Sequence, residues 1–313
     1  MLVVARRTGC RLGNRLEQAT HLIAFNELTG HEFAIPVLAE YAGDLRGMEN
    51  DWLCRFPSRR SGFSSSFLPH RLGYFLSWAA AVGKVNSSAL GIAQYGCDNE
   101  REVDMMDGEF LQYLTNNRVL VLRQGWKYRC WKGLESALPA MRKFFSPGAN
   151  LEGRVNAILT KARKATDQLI GVHIRHTDFR THLDGRYFFP IKEYARVMRE
   201  IARQLAPQKT GFLVCSDTVC EGEAFPGLSV SFGSGKVLED LFALAGCDRV
   251  VGPAISSFSG WASLHGNKPF LGLQRSGQEV FVGDFGVPPL LRETSRGAVG
   301  RNDKECSQSA SPQ

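Results

Sequence analysis

Leu169-Ile170-Gly171-Val172-His173-Ile174-Arg175-His176-Thr177-Asp178 is the stretch on which the fold reading turns. A short apolar run that stops at charged residues has the length and pattern of a strand buried on both faces. Its side chains alternate, so His173 and Arg175 point to one face and Ile174 to the other. The polar residues gather at the carboxyl end, where open α/β sheets place their ligands.

Similar units lie downstream. A helix is expected after Pro190, running to about 205, since proline suits a helix's first turn. Gly211 to Cys215 reads as a strand ending in Ser216-Asp217, and Leu228-Ser229-Val230 as a short one. A helix over about 236–246, a strand at 249–252 and a helix opening at Ser256-Ser257 through Leu264 complete the series. Strands alternating with helices imply a parallel sheet covered on both faces.

Upstream, Leu2-Val3-Val4-Ala5 reads as a strand, Arg11-Leu12-Gly13-Asn14 as a turn, and about 15–29 as a helix. That helix presents Leu16, Ala19, Leu22, Ile23 and Leu28 on one face and ends at a Gly30 cap. Phe33-Ala34-Ile35 and Arg118 to Leu122 are further strands, the latter followed by Gly125-Trp126. Residues 40–117 show poor periodicity, with a loop-like cluster at 59–66. Helices over about 134–145 and 152–165 are separated by the breaker Ser146-Pro147-Gly148. The expected organisation is therefore an α/β domain over 1–150, a second over 151–292, and a disordered tail over 293–313, rich in Ser, Gln, Gly and charge.

A length of 313 residues fits two domains, at roughly 150 residues each. Apolar residues make up 43% and charged residues 22%, which excludes disordered, collagen-like and disulfide-scaffold classes. The excess of 38 Lys and Arg over 31 Asp and Glu favours anionic partners: phosphate-bearing small molecules, a membrane surface or nucleic acid. The basic residues are dispersed and form no recognition helix or RNA-binding signature, which argues against nucleic acid. The eight cysteines form no CxxC pair, and Cys215 and Cys247 lie in apolar runs, so free thiols in a reducing compartment are expected. Two arginines after four apolar residues at the start, and the brevity of the 75–83 apolar stretch, lead to a soluble, cytoplasmic expectation, with peripheral membrane contact as an option.

Three constellations can carry chemistry. Arg175 at a strand end, beside His173 and Asp178, suits a diphosphate, because a guanidinium donates paired hydrogen bonds to phosphate oxygens. The alternative is an Arg–Asp ion pair that ties down the strand end. Ser256, Ser257 and Phe258 open a helix whose free N–H groups favour anions, or Ser256 is a simple cap. Asp240 is either an exposed helical acid or an acceptor for a guanine edge. The backbone around Gly13 and Asn14 can approach phosphate, or forms only a tight turn. Gly233-Ser234-Gly235-Lys236 imitates a phosphate loop but lacks its leading glycine and its magnesium-binding hydroxyl. His173, His176 and His182 match no zinc spacing, so no metal is expected.

In this order the pieces resemble the fucosyltransferase superfamily, which comprises alpha-1,2-, alpha-1,6- and protein O-fucosyltransferases. Gly13-Asn14 and its helix look like that family's GxLGNQ-type opening. His173, Arg175 and Asp178 match HxRxxD, and Phe189 to Tyr194 is similar to the segment just beyond that motif in the alpha-1,6 enzymes. Asp240 to Asp248 and Ser256 to Trp261 look like the last motifs of the alpha-1,2 branch. The resemblance implies two Rossmann-like domains facing a cleft (the GT-B arrangement), with GDP-fucose on the C-terminal one and the acceptor glycan on the N-terminal one. It implies an inverting reaction without metal or cofactor, in which Arg175 holds the pyrophosphate. His173 and Asp240 would contact the nucleotide, and Ser256 and Ser257 the phosphates, with Phe258, Ser216 and Asp217 beside them.

Two departures set this chain apart. Arg15 stands where the family has glutamine, and His176 where the alpha-1,6 motif has a second arginine. The loop to Pro190 is longer by two residues than in the alpha-1,6 enzymes. Within it Asp184 and His182 are the candidates for the base that activates the acceptor hydroxyl, against the reading of a solvent-facing loop.

Overall fold

A computed structural model describes residues 2–5, 11–49, 51, 53–58, 91–96, 102–123 and 127–292. The loop cluster at 59–66, the apolar stretch at 75–83, Gly125, Trp126 and the 293–313 tail lie outside the described residues. The chain divides into two compact units, Met1–Gly148 and Ala149–Gln313, with the division at the end of the Ser-Pro-Gly breaker.

In the second unit five strands run in parallel: β8 (Gln168–Ile174), β9 (Thr210–Ser216), β10 (Ser229–Phe232), β11 (Arg249–Pro253) and β12 (Phe270–Leu273). Their spatial order is β10-β9-β8-β11-β12. Renumbered within the unit this is 3-2-1-4-5, the order of a doubly wound sheet, and the order reverses between β8 and β11. Helix Ile191–Leu205 covers one face, where Tyr194, Val197, Met198 and Ile201 pack on Ile170, Val172 and Ile174. Helices Ala149–Ala162, Val237–Ala245 and Ser257–Gly266 cover the other. Burial on both faces explains why these strands read as continuous apolar runs.

At the amino edge of this sheet Asp248 accepts hydrogen bonds from Arg163 at 2.9 and 3.0 Å and from the Leu169 N–H at 2.8 Å. That carboxylate ties strand starts together, at the edge opposite the carboxyl ends.

In the first unit β1 (Leu2–Ala5) pairs in parallel with β2 (Phe33–Ala34) and β6 (Val119–Arg123), and β6 pairs with β4 (Ile92–Gly96). The antiparallel β3 (Arg55–Phe56) borders β2, and β5 (Val103–Asp104) with β7 (Tyr128–Arg129) forms a separate pair. Helix Leu12–Thr29 buries Leu16, Ala19, Leu22 and Ile23, whereas Leu28 is exposed. The helix begins three residues earlier than its pattern predicts. Gly13 and Asn14 therefore occupy its first turn rather than a preceding turn, and Arg11 is the N-cap residue.

Boundaries elsewhere shift in the same small way. The helices expected at 134–145 and 152–165 are Leu134–Phe144 and Ala149–Ala162. Pro190 is an N-cap residue, one position ahead of the first turn.

Candidate functional site

The carboxyl ends of β8, β9 and β11 bring His173, Arg175, Asp178, Ser216, Asp217, Ser256, Ser257 and Phe258 into one region. His173 and Ile174 lie opposite Cys215 and Ser216 in the β8–β9 register. Ser256 comes shortly after β11 and is the N-cap of helix Ser257–Gly266, its hydroxyl accepting from the Ser259 N–H. These residues sit at the reversal of strand order, where doubly wound sheets open a crevice for ligands.

His173 is 6% exposed, and its Nδ1 is 3.2 Å from the Ser256 hydroxyl. Its ring lies 4.9 Å from that of Phe258, tilted by 36°. Burial first, and the Arg175 charge second, push its pKa down to about 3. At neutral pH it is an uncharged hydrogen-bonding group. Close approach of helix and sheet beneath it needs Gly252, because a Cβ there would stand 2.5 Å from the Ser259 hydroxyl.

Asp217 organises the loop after β8. Its carboxylate accepts the His176 N–H at 2.8 Å and the Thr177 N–H and hydroxyl. Burial works against its ionised form, but these donors outweigh that and hold its pKa below the ordinary aspartate value. Ser216 closes a local turn, accepting the Thr218 N–H at 3.1 Å. Of the other histidines, His176 is buried with Nε2 2.7 Å from the Phe189 carbonyl oxygen. The three histidines thus have separate partners, and among the described residues no cluster of His, Cys, Asp and Glu forms a cation site.

Arg175 realises the bland alternative as well as the useful placement. Its Nε and Nη2 donate to the two Asp178 oxygens at 2.8 and 2.6 Å. The pair occupies one edge of the guanidinium, and two of its five N–H donors. The two Nη1 donors and the second Nη2 donor, which form the adjoining edge, are not used by the pair. Asp178 therefore holds the arginine.

Asp240 is not the exposed helical acid of the first sequence reading. It is 6% exposed, and its Oδ1 accepts the Ser234 N–H at 2.8 Å. It anchors the Gly233–Lys236 loop beneath which it lies, and burial raises its pKa to about 6. The phosphate-loop imitation is thus a carboxylate-held connection between β10 and its helix.

Asp184 and His182 stand in an exposed turn, His182–Gly185, in which Leu183 and Asp184 both adopt left-handed backbone at φ 50° and 55°. Left-handed conformations at non-glycine residues cost about 1–2 kcal/mol each. His182 stacks on Phe179 at 5.8 Å between ring centroids, and Phe179 lies under the Arg175 guanidinium. Sequence reasoning missed Phe179, whose only signal was an aromatic one residue beyond the motif. Gly13 and Asn14 belong to the other unit.

No protein-family model matches the sequence, and no curated protein matches it significantly. The structure is similar to that of an Arabidopsis thaliana FUT1 mutant in complex with GDP, with a TM-score of 0.53 and 14% identity over 88% of this chain and 70% of that one. It is similar also to fucosyltransferase NodZ from Bradyrhizobium, with a TM-score of 0.50 and 17% identity over 88% and 96% of the two chains. NodZ alpha-1,6-fucosyltransferase soaked with GDP-fucose gives the same score and identity, over 88% and 97%. The chain shares its fold with these solved structures. At these identities the likeness is one of fold, a mixed α/β architecture with parallel sheets, and the chemistry rests on the residues. Among those described, no helix is long and apolar enough to cross a membrane.

Proposed function

We propose that the chain is an inverting, metal-independent glycosyltransferase that moves fucose from GDP-fucose to a glycan hydroxyl. One observation carries the reading: a guanidinium and a neutral imidazole stand together at the switch point of a doubly wound sheet, beside a serine-capped helix N-terminus. Fold likeness to enzymes solved with GDP and GDP-fucose supports the same donor. In this reading each unit is Rossmann-like, and the acceptor belongs to the 1–148 unit.

In the reaction the acceptor oxygen attacks the anomeric carbon as the bond from that carbon to the β-phosphate oxygen breaks. The electron pair leaves with GDP, and fixed donors aimed at that growing charge lower the barrier. Arg175 supplies the positive charge through its Nη1/Nη2 edge, Ser256 and Ser257 meet phosphate oxygens, and His173 donates or accepts without titrating. The acceptor proton passes to Asp184 or His182. Asp240 would accept from the guanine edge with carboxylate lone pairs beyond the one that holds the Ser234 N–H. The localisation in this reading is cytoplasmic, with peripheral membrane contact where the acceptor is lipid-linked.

Release of the nucleoside diphosphate, GDP or UDP according to the donor, measured with GDP-fucose, GDP-mannose and UDP-sugars over a panel of glycan acceptors, tests the proposal. Turnover of GDP-fucose with an acceptor supports it. Preference for a UDP-sugar overturns the guanine role of Asp240. A second reading, a nucleotide-binding module that keeps the doubly wound sheet without catalysis, shows GDP binding with no donor turnover.

A further inference from the structure

Arg175 is held on two sides by neighbours in its own loop. Asp178 grips the Nε/Nη2 edge, and the Phe179 ring lies 4.8 Å from the guanidinium carbon. Phe179 is 4% exposed although it sits in a connection between a strand and a helix. The arginine itself is also largely covered, its side chain 11% exposed.

A carboxylate fixes an edge of the guanidinium but leaves its plane free to rock about the paired hydrogen bonds. An aromatic face beneath the cation removes that freedom, through attraction of the charge to the ring's negative face. An arginine side chain carries about 2 kcal/mol of rotamer entropy, so ordering it before the ligand arrives improves binding.

We propose that Phe179 is a positioning residue for Arg175: with Asp178 it fixes the guanidinium plane so that the Nη1/Nη2 edge is presented to a diphosphate. The proposal rests on the reading of Arg175 as the diphosphate-binding group. Leucine at 179 keeps the apolar filling and lacks the aromatic face, whereas tyrosine keeps both.

The test uses the full chain labelled at arginine, with GDP as the probe. In the wild type the Arg175 guanidinium protons are shifted upfield by the ring beneath them, and Phe179→Tyr preserves the shift. Phe179→Leu loses it, and calorimetric GDP affinity falls about 2- to 30-fold with little change in melting temperature. Phe179→Tyr restores affinity to within about twofold, which a purely structural role shared by Leu and Tyr does not produce. Wild-type GDP affinity in Phe179→Leu, alongside lost affinity in Arg175→Lys, overturns the proposal and spares the donor site. Equal GDP affinity in wild type and Arg175→Lys overturns the donor-site reading itself, while the proton shifts still show whether Phe179 orders the arginine.

Discussion

His173 and Asp240 are both buried and respond to acid with opposite signs. The folded His173 pKa is near 3 and the unfolded value near 6.5. Its contribution is therefore full above about pH 6.5 and declines as pH falls toward 3, by up to about 1.4 kcal/mol per unit. The folded Asp240 pKa is near 6, above its unfolded value of about 3.9. Its contribution is full below about pH 4 and is lost as pH climbs to 6. The two slopes oppose each other between those limits. Asp240→Asn removes one of them, so its melting temperature should drop more steeply than that of the wild type between about pH 6.5 and 4.5; parallel curves contradict the assignment. At this scale the sequence disclosed which residue types meet at the strand ends. It offered the Arg175–Asp178 ion pair as one of two readings, but it did not disclose that Asp240 is turned inward to a loop N–H, because that depends on side-chain direction within an irregular connection.

The helix Ser257–Gly266 places Ser256 against His173 only because it approaches β11 closely at Gly252. Gly252→Ala puts a Cβ 2.5 Å from the Ser259 hydroxyl and 3.4 Å from the His173 Cβ. Overpacking of this kind costs about 1–3 kcal/mol. Urea unfolding should show a lower midpoint at unchanged slope, with weakened GDP binding; a wild-type midpoint contradicts the packing account. Ser256→Ala removes a cap and should cost about 1 kcal/mol in the same experiment. The strands β8, β9 and β11 were legible because burial on both faces makes them continuous apolar runs between breakers. β12 was missed, since Phe270–Leu273 is four residues long and interrupted by Gly272. Helix Gly108–Thr115 was missed too: it is a short element in a poorly periodic region, capped by Asp107 through the Glu109 N–H.

Each unit carries a buried core of its own, that of the second built on Ile170, Val172, Ile174, Phe212 and Val251 against helix Ile191–Leu205. Residues 149–292 produced alone should unfold in one cooperative transition, with calorimetric and van't Hoff enthalpies in agreement; a fragment without a transition contradicts independent folding. The proposed chemistry depends on Arg175 receiving a diphosphate at the edge that Asp178 leaves to it. Calorimetric titration of GDP into the full chain tests this most directly, comparing wild type with Arg175→Lys, which keeps the charge and loses the paired geometry. GDP should bind the wild type, and the variant should lose about tenfold or more in affinity, roughly 1.4 kcal/mol. Equal affinity in the two proteins, with the ion pair as the arginine's whole purpose, contradicts it.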